Sequence, residues 1–339
     1  MTEKHYGGAS AHGLKKDVAR QDKKQLSLTS SIKSSKVDLA ANNHNESDES
    51  YLKAGRIASQ VVEFAKSIVK KDVKLLEIAE RIEAKIVELG GKPAFPVNLS
   101  MNEVAAHDTP AWNDERKATG LLKVDIGVHI NGFSADTAFS VDLEGNEENE
   151  LLIEAAESGL EHGISAVKKN AQVSLSQIGK AIESAIKAKG FQPIQNLSGH
   201  SIEEYNLHSG ITIPNIDNNS DKVLDEGVFA IEPFATSGLG KVRDGRLSGI
   251  YSLQKPGSVR DAFARDVLEF IVKEYQTLPF CSRWIQKKFG SRGLLALRQI
   301  EQTGILHPYP QLIEVGNGKV AQAEHTLIIL GNEKVVTTE

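Results

Sequence analysis

Lys123-Val124-Asp125-Ile126-Gly127-Val128-His129-Ile130-Asn131-Gly132-Phe133-Ser134-Ala135-Asp136-Thr137 is the stretch that decides how the chain is read. Asn131-Gly132 stands between apolar strand-formers, and that dipeptide suits a two-residue type I′ turn, whose central residues both need positive φ. A hairpin closed there sets Ile130 opposite Phe133, Asp125 opposite Ala138 and Asp136 opposite Gly127. Asp125 and Gly127 share a face, so the two aspartates become diagonal neighbours with Cβ atoms less than about 8 Å apart. Gly127 is expected to leave the space between them empty. Carboxylates so placed repel unless they are protonated or neutralised by a cation. Two surface aspartates on a solvated sheet face would carry the same residues, and Val124, Ile126 and Ala135 do not settle which face is buried. From the hairpin alone the two readings stand level.

Three further clusters bear on the choice. Gly199-His200-Ser201-Ile202-Glu203-Glu204-Tyr205-Asn206-Leu207-His208 holds two histidines that share a face in a regular strand and nearly so in a helix. Each histidine taken singly also fits a satisfied core position. Ala230-Ile231-Glu232-Pro233 ends an apolar strand on a carboxylate, and Ala323-Glu324-His325-Thr326 opens the last strand on another. An acid embedded in apolar strands is costly unless paired or ligated. Four such carboxylates with an imidazole suit hard-to-borderline divalent cations, and two of those cations balance the four charges.

Around these clusters runs a faint internal repeat. Leu52, Ile57, Val61, Phe64, Ala65 and Ile68 mark one amphipathic helix, and Leu75, Ile78, Ile82 and Ile86 a second that stops at Gly90-Gly91. A later pair covers roughly 148–169 and then Leu175, Ile178, Ile182 and Ile186, stopping at Gly190. Gly90-x-x-Pro93 recurs as Gly190-x-x-Pro193, and Asn98-Leu99-Ser100 as Asn196-Leu197-Ser198. Gly120 precedes Asp125 in an apolar run as Gly227 precedes Glu232 in another. Three matches in one order predict two related halves, each a helix pair leading into strands, with a site at their junction.

Composition sets the outer limits. The 339 residues carry a net charge of -5, which argues against a surface given over to nucleic acid. The single cysteine, Cys281, excludes an intrachain disulfide framework and a cysteine-rich zinc module. No apolar run is long enough for a membrane span, and no signal peptide is evident at the N-terminus, so the expected setting is cytoplasmic. Residues 1–50 hold eight Lys/Arg, seven Asp/Glu and one aromatic, Tyr6. Too little apolar surface is available there to offset chain ordering, so a disordered polar extension is expected. Between about 256 and 318 a helical insertion is expected, with a helical run from Asp261 to Tyr275, a basic run over 281–300 and Pro308-Tyr309-Pro310 after it. In the basic run Trp284, Phe289, Leu294 and Leu297 read as a small core behind a solvated basic face.

The motifs in order resemble a known family. Phe95-Pro96 through Ala105-Ala106-His107, Lys123-Val124-Asp125-Ile126-Gly127, Ala135-Asp136-Thr137, Gly199-His200-Ser201-Ile202, Phe229-Ala230-Ile231-Glu232-Pro233-Phe234-Ala235 and Ala321-Gln322-Ala323-Glu324-His325-Thr326 are similar to the methionine aminopeptidases of peptidase family M24, in particular the archaeal-like type 2 branch. The match covers about 51–339. Type 1 enzymes lack an insertion like that between Glu232 and Glu324. The resemblance implies an α/β (α+β) pita-bread fold: pseudo-twofold halves around a curved antiparallel sheet, with the insertion winged-helix-like. It makes Asp125, Asp136, His200, Glu232 and Glu324 the ligands of two divalent metal ions, whether Co, Mn, Fe or Zn. It makes His107, His208 and Glu232 catalytic, and Phe95, His107, Leu207, His208 and Tyr309 substrate-binding.

The implied activity is removal of the initiator methionine from nascent polypeptides when the second residue is small, by a hydroxide bridging two metals. The implied partners are nascent N-termini, with ribosome association compatible, no membrane, and a monomeric state. The chain departs from the family at Asp108, where tyrosine often follows the histidine; that position is expected near the mouth of the site. Two alternatives stand beside this reading. One is a non-catalytic ribosome- or RNA-associated relative, supported by Arg283, Lys287, Lys288, Arg292 and Arg298. The other is an X-Pro peptidase of the prolidase kind, which would need a folded N-terminal domain where residues 1–50 are short and polar.

Overall fold

Apolar residues spaced three and four apart build the outer layer of each half. The computed structural model, which describes residues 40–167, 173–330 and 333–339, has helices at Ala40–Ile68 and Leu75–Glu88. Leu75, Ile78, Ile82 and Ile86 are fully buried, packed with Val61, Ala65, Leu99, Val124 and Ile126. Each such side chain contributes about 1.5–3 kcal/mol by leaving water. The first helix starts well before the expected boundary at residue 50. Its opening turns lack an apolar face, but a helix nucleated downstream propagates through polar residues at little cost. The remainder of the expected extension, residues 1–39, lies outside the described residues. The compact unit that carries the site is Glu49–Glu339.

The second half repeats the plan. Helix Glu147–Ala166 is capped by the Asn146 side chain, which accepts from the backbone of Glu148 and Asn149. Helix Leu175–Ala188 opens with a reciprocal capping box between Ser174 and Gln177. Ile178, Ile182, Leu160, Phe229, Ile231 and Leu327 form its core. Both second helices give way to a glycine of positive φ, Gly90 at 85° and Gly190 at 87°. Each then enters a two-residue strand, Lys92–Pro93 or Gln192–Pro193.

All named strand pairs are antiparallel. In the first half Leu121–Ile130 pairs with Lys92–Pro93, Asn98–Met101 and Phe133–Asp142. In the second, Gly227–Ile231 lies between Ser198–Ile202 and His325–Leu330. A bridge between Ala138 and Glu324 joins the halves. Thr326 reinforces it, accepting from Asp136 N–H at 2.7 Å while its hydroxyl donates to the Asp136 carbonyl at 2.8 Å. The strands of both halves thus meet beside the residues of interest.

The inserted segment has its own core. Helices Ala262–Glu274 and Ser282–Gln302, the second interrupted at Gly290, bury Val267, Ile271, Ile285, Leu297 and Ile300. They are framed by strands Val242–Leu253 and Leu306–Glu314, so Pro308-Tyr309-Pro310 is strand. The basic run is not one solvated face. Arg283 is buried, Lys288 lies over the Phe270 ring and Arg292 over the Phe263 ring. Among the described residues no helix is long and apolar enough to cross a membrane.

Candidate metal centre

The hairpin closes at Asn131-Gly132, with φ of 53° and 93° as a type I′ turn requires. Ile130 pairs with Phe133, Gly127 with Asp136 and Asp125 with Ala138. Both aspartates therefore project from one face. The space beside Gly127 is filled, contrary to expectation: a Cβ there would stand 2.2 Å from Cε1 of Phe95. The ring arrives from a segment distant from the hairpin, which local pairing cannot reveal.

His200 sits mid-strand in Ser198–Ile202, Glu232 directly follows Gly227–Ile231, and Glu324 directly precedes His325–Leu330. His200 Nε2 is 3.7 Å from Asp136 Oδ2 and 3.7 Å from Glu232 Oε1. Ligand atoms of Asp136, His200 and Glu324 lie within 4.8 Å of one another. Together with Asp125 and Glu232 they line one cavity of about 200 Å³. His107, His208, Phe95, Leu207 and Tyr309 line the same cavity.

Burial and like charge act together here. Burial raises the Asp125 carboxyl to about 7. Asp136 is held well above the ordinary carboxyl range by burial and then by Asp125. Glu232 and Glu324 are raised well above it too, by burial first and then by the neighbouring acids. Asp125 Oδ1 and Asp136 Oδ1 are buried without a hydrogen-bond partner. An acidic cluster that is costly to ionise and short of donors fits divalent cations. His200 is kept neutral, lowered to about 3 by burial and by His208, which leaves its ring nitrogen available as a ligand.

The neighbouring histidines are brought in by turns. His208 reaches His200, ring centroids 4.4 Å apart, through the turn that pairs Glu203 with Asn206; strand periodicity plays no part. His107 has a φ of 61°, and its Nδ1 meets the Pro310 carbonyl at 3.3 Å. That carbonyl can only accept, so Nδ1 carries the proton and Nε2 is the acceptor of a neutral ring. Burial, then His208, lowers the His107 pKa to about 4. The Tyr309 ring stands edge-on to His107 at 5.4 Å, and its hydroxyl is 3.1 Å from Ser252 Oγ.

Asp108 is not at the mouth. It is 2 % exposed and accepts from Arg116 Nη1 at 2.7 Å and Nη2 at 3.0 Å. An ion pair with a residue eight positions away took it inward. Sequence reading also passed over Asn98, Asn196 and Phe234 on the cavity wall. Asn98 and Asn196 head the two repeated Asn-Leu-Ser triplets, so the repeat itself carried that signal.

Two related antiparallel halves that deliver two buried acids, two part-buried acids and a neutral imidazole to one cavity define a metallopeptidase of the pita-bread class. The family model described as Metallopeptidase family M24 matches residues 49–268. The methionine aminopeptidase of Pyrococcus abyssi is 50 % identical over 293 residues, covering 85 % of this chain and 98 % of that protein. The chain belongs to metallopeptidase family M24, within its methionine aminopeptidases. Divalent metal is accordingly its cofactor.

Two solved structures share the fold. A methionine aminopeptidase from Thermotoga maritima has a TM-score of 0.62 at 19 % identity, covering 86 % of this chain and 96 % of that one. A thermophilic Arx1 has a TM-score of 0.72 at 15 % identity, covering 85 % and 90 %.

Proposed function

We propose that Asp125, Asp136, His200, Glu232 and Glu324 hold two divalent cations, and that the chain uses them to remove methionine from the N-terminus of polypeptides whose second residue is small. The observation that carries this reading is the convergence of four mutually repelling carboxylates, two buried and two part-buried, and a neutral histidine on one cavity. Two divalent ions bring the formal charge of the four acids to zero. When bound, the pair supplies Lewis acidity, acidifying water and polarising the carbonyl of the first peptide bond. Co, Mn, Fe and Zn all suit the donor set.

The chain's own residues supply the rest. Glu232 borders the cavity beside His200, so its carboxylate can take up a proton and pass it to the leaving amine. His107, neutral with Nε2 as acceptor, orients the scissile N–H, while His208 steadies charge developing on the carbonyl oxygen. Phe95, Leu207 and Tyr309 give the methionine side chain an apolar wall. N-termini of nascent polypeptides are the substrates this reading implies. Metal-dependent release of methionine from Met-Ala-Ser, lost in Asp136→Ala, tests the reading; undiminished turnover in that variant would end it.

A further inference from the structure

Three walls of the cavity come from separate parts of the chain. Phe95 precedes strand Asn98–Met101, His107 follows strand Val104–Ala106, and Ile250, Pro279 and Tyr309 belong to the inserted segment and its frame. One buried ion pair is tied to all of them. Glu83, on helix Leu75–Glu88, and Arg283, on the inserted helix, are 8 % and 3 % exposed. Arg283 Nη1 donates to Glu83 Oε2 at 2.7 Å and Nη2 to Oε1 at 2.8 Å. Trp284 Nε1 donates to the same carboxylate at 2.8 Å.

Ties run outward from that fork. The Val97 N–H, two residues past Phe95, donates to Glu83 Oε1 at 3.4 Å. Arg283 Nε donates to the Pro110 carbonyl at 3.0 Å, three residues past His107. The Thr109 hydroxyl donates to the Val97 carbonyl at 2.9 Å, cross-linking the two segments. Arg283 itself lies four residues beyond Pro279. His107 needs such support, because its φ of 61° is disfavoured for a residue with a Cβ and persists only where the surroundings over-determine it.

We propose that Glu83 and Arg283 are a positioning pair for the peptidase reaction: they set where the inserted segment docks on the core, and so hold Phe95 against the methionine side chain and His107 against the scissile peptide. The proposal rests on the reading of the cavity given above. Neither residue lines the cavity, so both act through others. A structural role alone is the plainer account of a buried ion pair, yet such pairs often add little stability over apolar replacements. The guanidinium fork meets a carboxylate and a carbonyl in fixed directions at once, which an ammonium cannot reproduce.

The test uses full-length, metal-loaded parent, Arg283→Lys and Glu83→Asp with Met-Ala-Ser and Leu-Ala-Ser peptides. Metal content and unfolding midpoint are recorded for each. Arg283→Lys loses the tie to the His107 segment and is expected to lower kcat about tenfold with little change in KM. Glu83→Asp loses the tie to the Phe95 segment and is expected to raise KM for Met-Ala-Ser about tenfold and to narrow the preference for methionine over leucine. Constants within twofold of the parent, or an equal fall for both peptides that follows metal content or folded fraction, overturn the proposal. If Arg283→Lys does not fold, Glu83→Gln keeps the size of the side chain and removes the charge that pairs with Arg283. A narrowed methionine preference in it supports the proposal, and an unchanged one overturns it. A parent that fails to turn over Met-Ala-Ser removes the underlying reading, and the proposal with it, which separates that failure from one confined to the variants.

Discussion

Loading the metal-free protein with divalent cation at pH 7 is expected to expel protons, and their number follows from the cavity. Asp136, Glu232 and Glu324 are each held well above the ordinary carboxyl range by burial and by one another. Asp125, raised to about 7, is half-protonated at that pH. His200, lowered to about 3, is already neutral and contributes none. The four acids titrate as a set, and complete ligation must strip every proton the set retains. Each proton released makes binding about tenfold weaker for every unit the pH falls, or about 1.4 kcal/mol. Metal affinity at pH 6 is therefore expected to lie below that at pH 7 by about tenfold for each proton released. Calorimetric titration in buffers of different ionisation enthalpy reads the proton count directly. Asp136→Asn should release fewer protons, since the amide has none to give. Binding at pH 7 without net proton release, or affinity flat from pH 6 to pH 7, would refute the reasoning.

Three other outcomes are expected. Thr326→Val removes both hydrogen bonds to the Asp136 backbone and leaves a buried N–H and carbonyl unpaired. The expected loss is about 2–4 kcal/mol in urea unfolding, with Thr326→Ser close to the parent; a valine variant as stable as the parent would show that the seam is held elsewhere. Gly127→Ala drives a methyl into the Phe95 ring and is expected to raise KM for Met-Ala-Ser about tenfold. Adding Phe95→Leu should recover part of that loss in steady-state assays, and no recovery would contradict the contact. Asp108→Ala strips Arg116 of one of its two carboxylate partners and is expected to cost about 2 kcal/mol, milder than for a fully buried pair because Asp114 remains. Equal unfolding midpoints for variant and parent would dismiss that ion pair as a stabiliser.

The hairpin was legible because its information is local. A dipeptide that accepts two positive φ values fixes the register, and register fixes which side chains share a face. The helix stripes at Leu75, Ile78, Ile82 and Ile86 and at Leu175, Ile178, Ile182 and Ile186 were legible for the same reason, and all eight are buried. What escaped depends on residues far apart in the chain. Gly127 looked like empty space because Phe95 comes from a bend outside the hairpin. Arg283 looked like one member of a basic face because its acid partner lies 200 positions earlier. His208 was placed beside His200 by the right pairing for the wrong reason, a turn in place of strand alternation. Pro308 and Pro310 fall inside the expected helical insertion yet lie in a strand, which tolerates prolines where its ladder does not need their missing donors.

The bond from Thr326 to Asp136 spans 190 positions, and Glu324 enters beside it. Assembly order follows from that span. The two aspartates can pair as soon as their hairpin forms, but the cavity has no fifth donor until the strand His325–Leu330 docks. The full donor set therefore exists only where that distant contact has closed its long loop. A partly folded molecule is a poor metal scavenger and a poor peptidase for one and the same reason. The seam thus makes the complete donor set conditional on a contact between segments far apart in the chain.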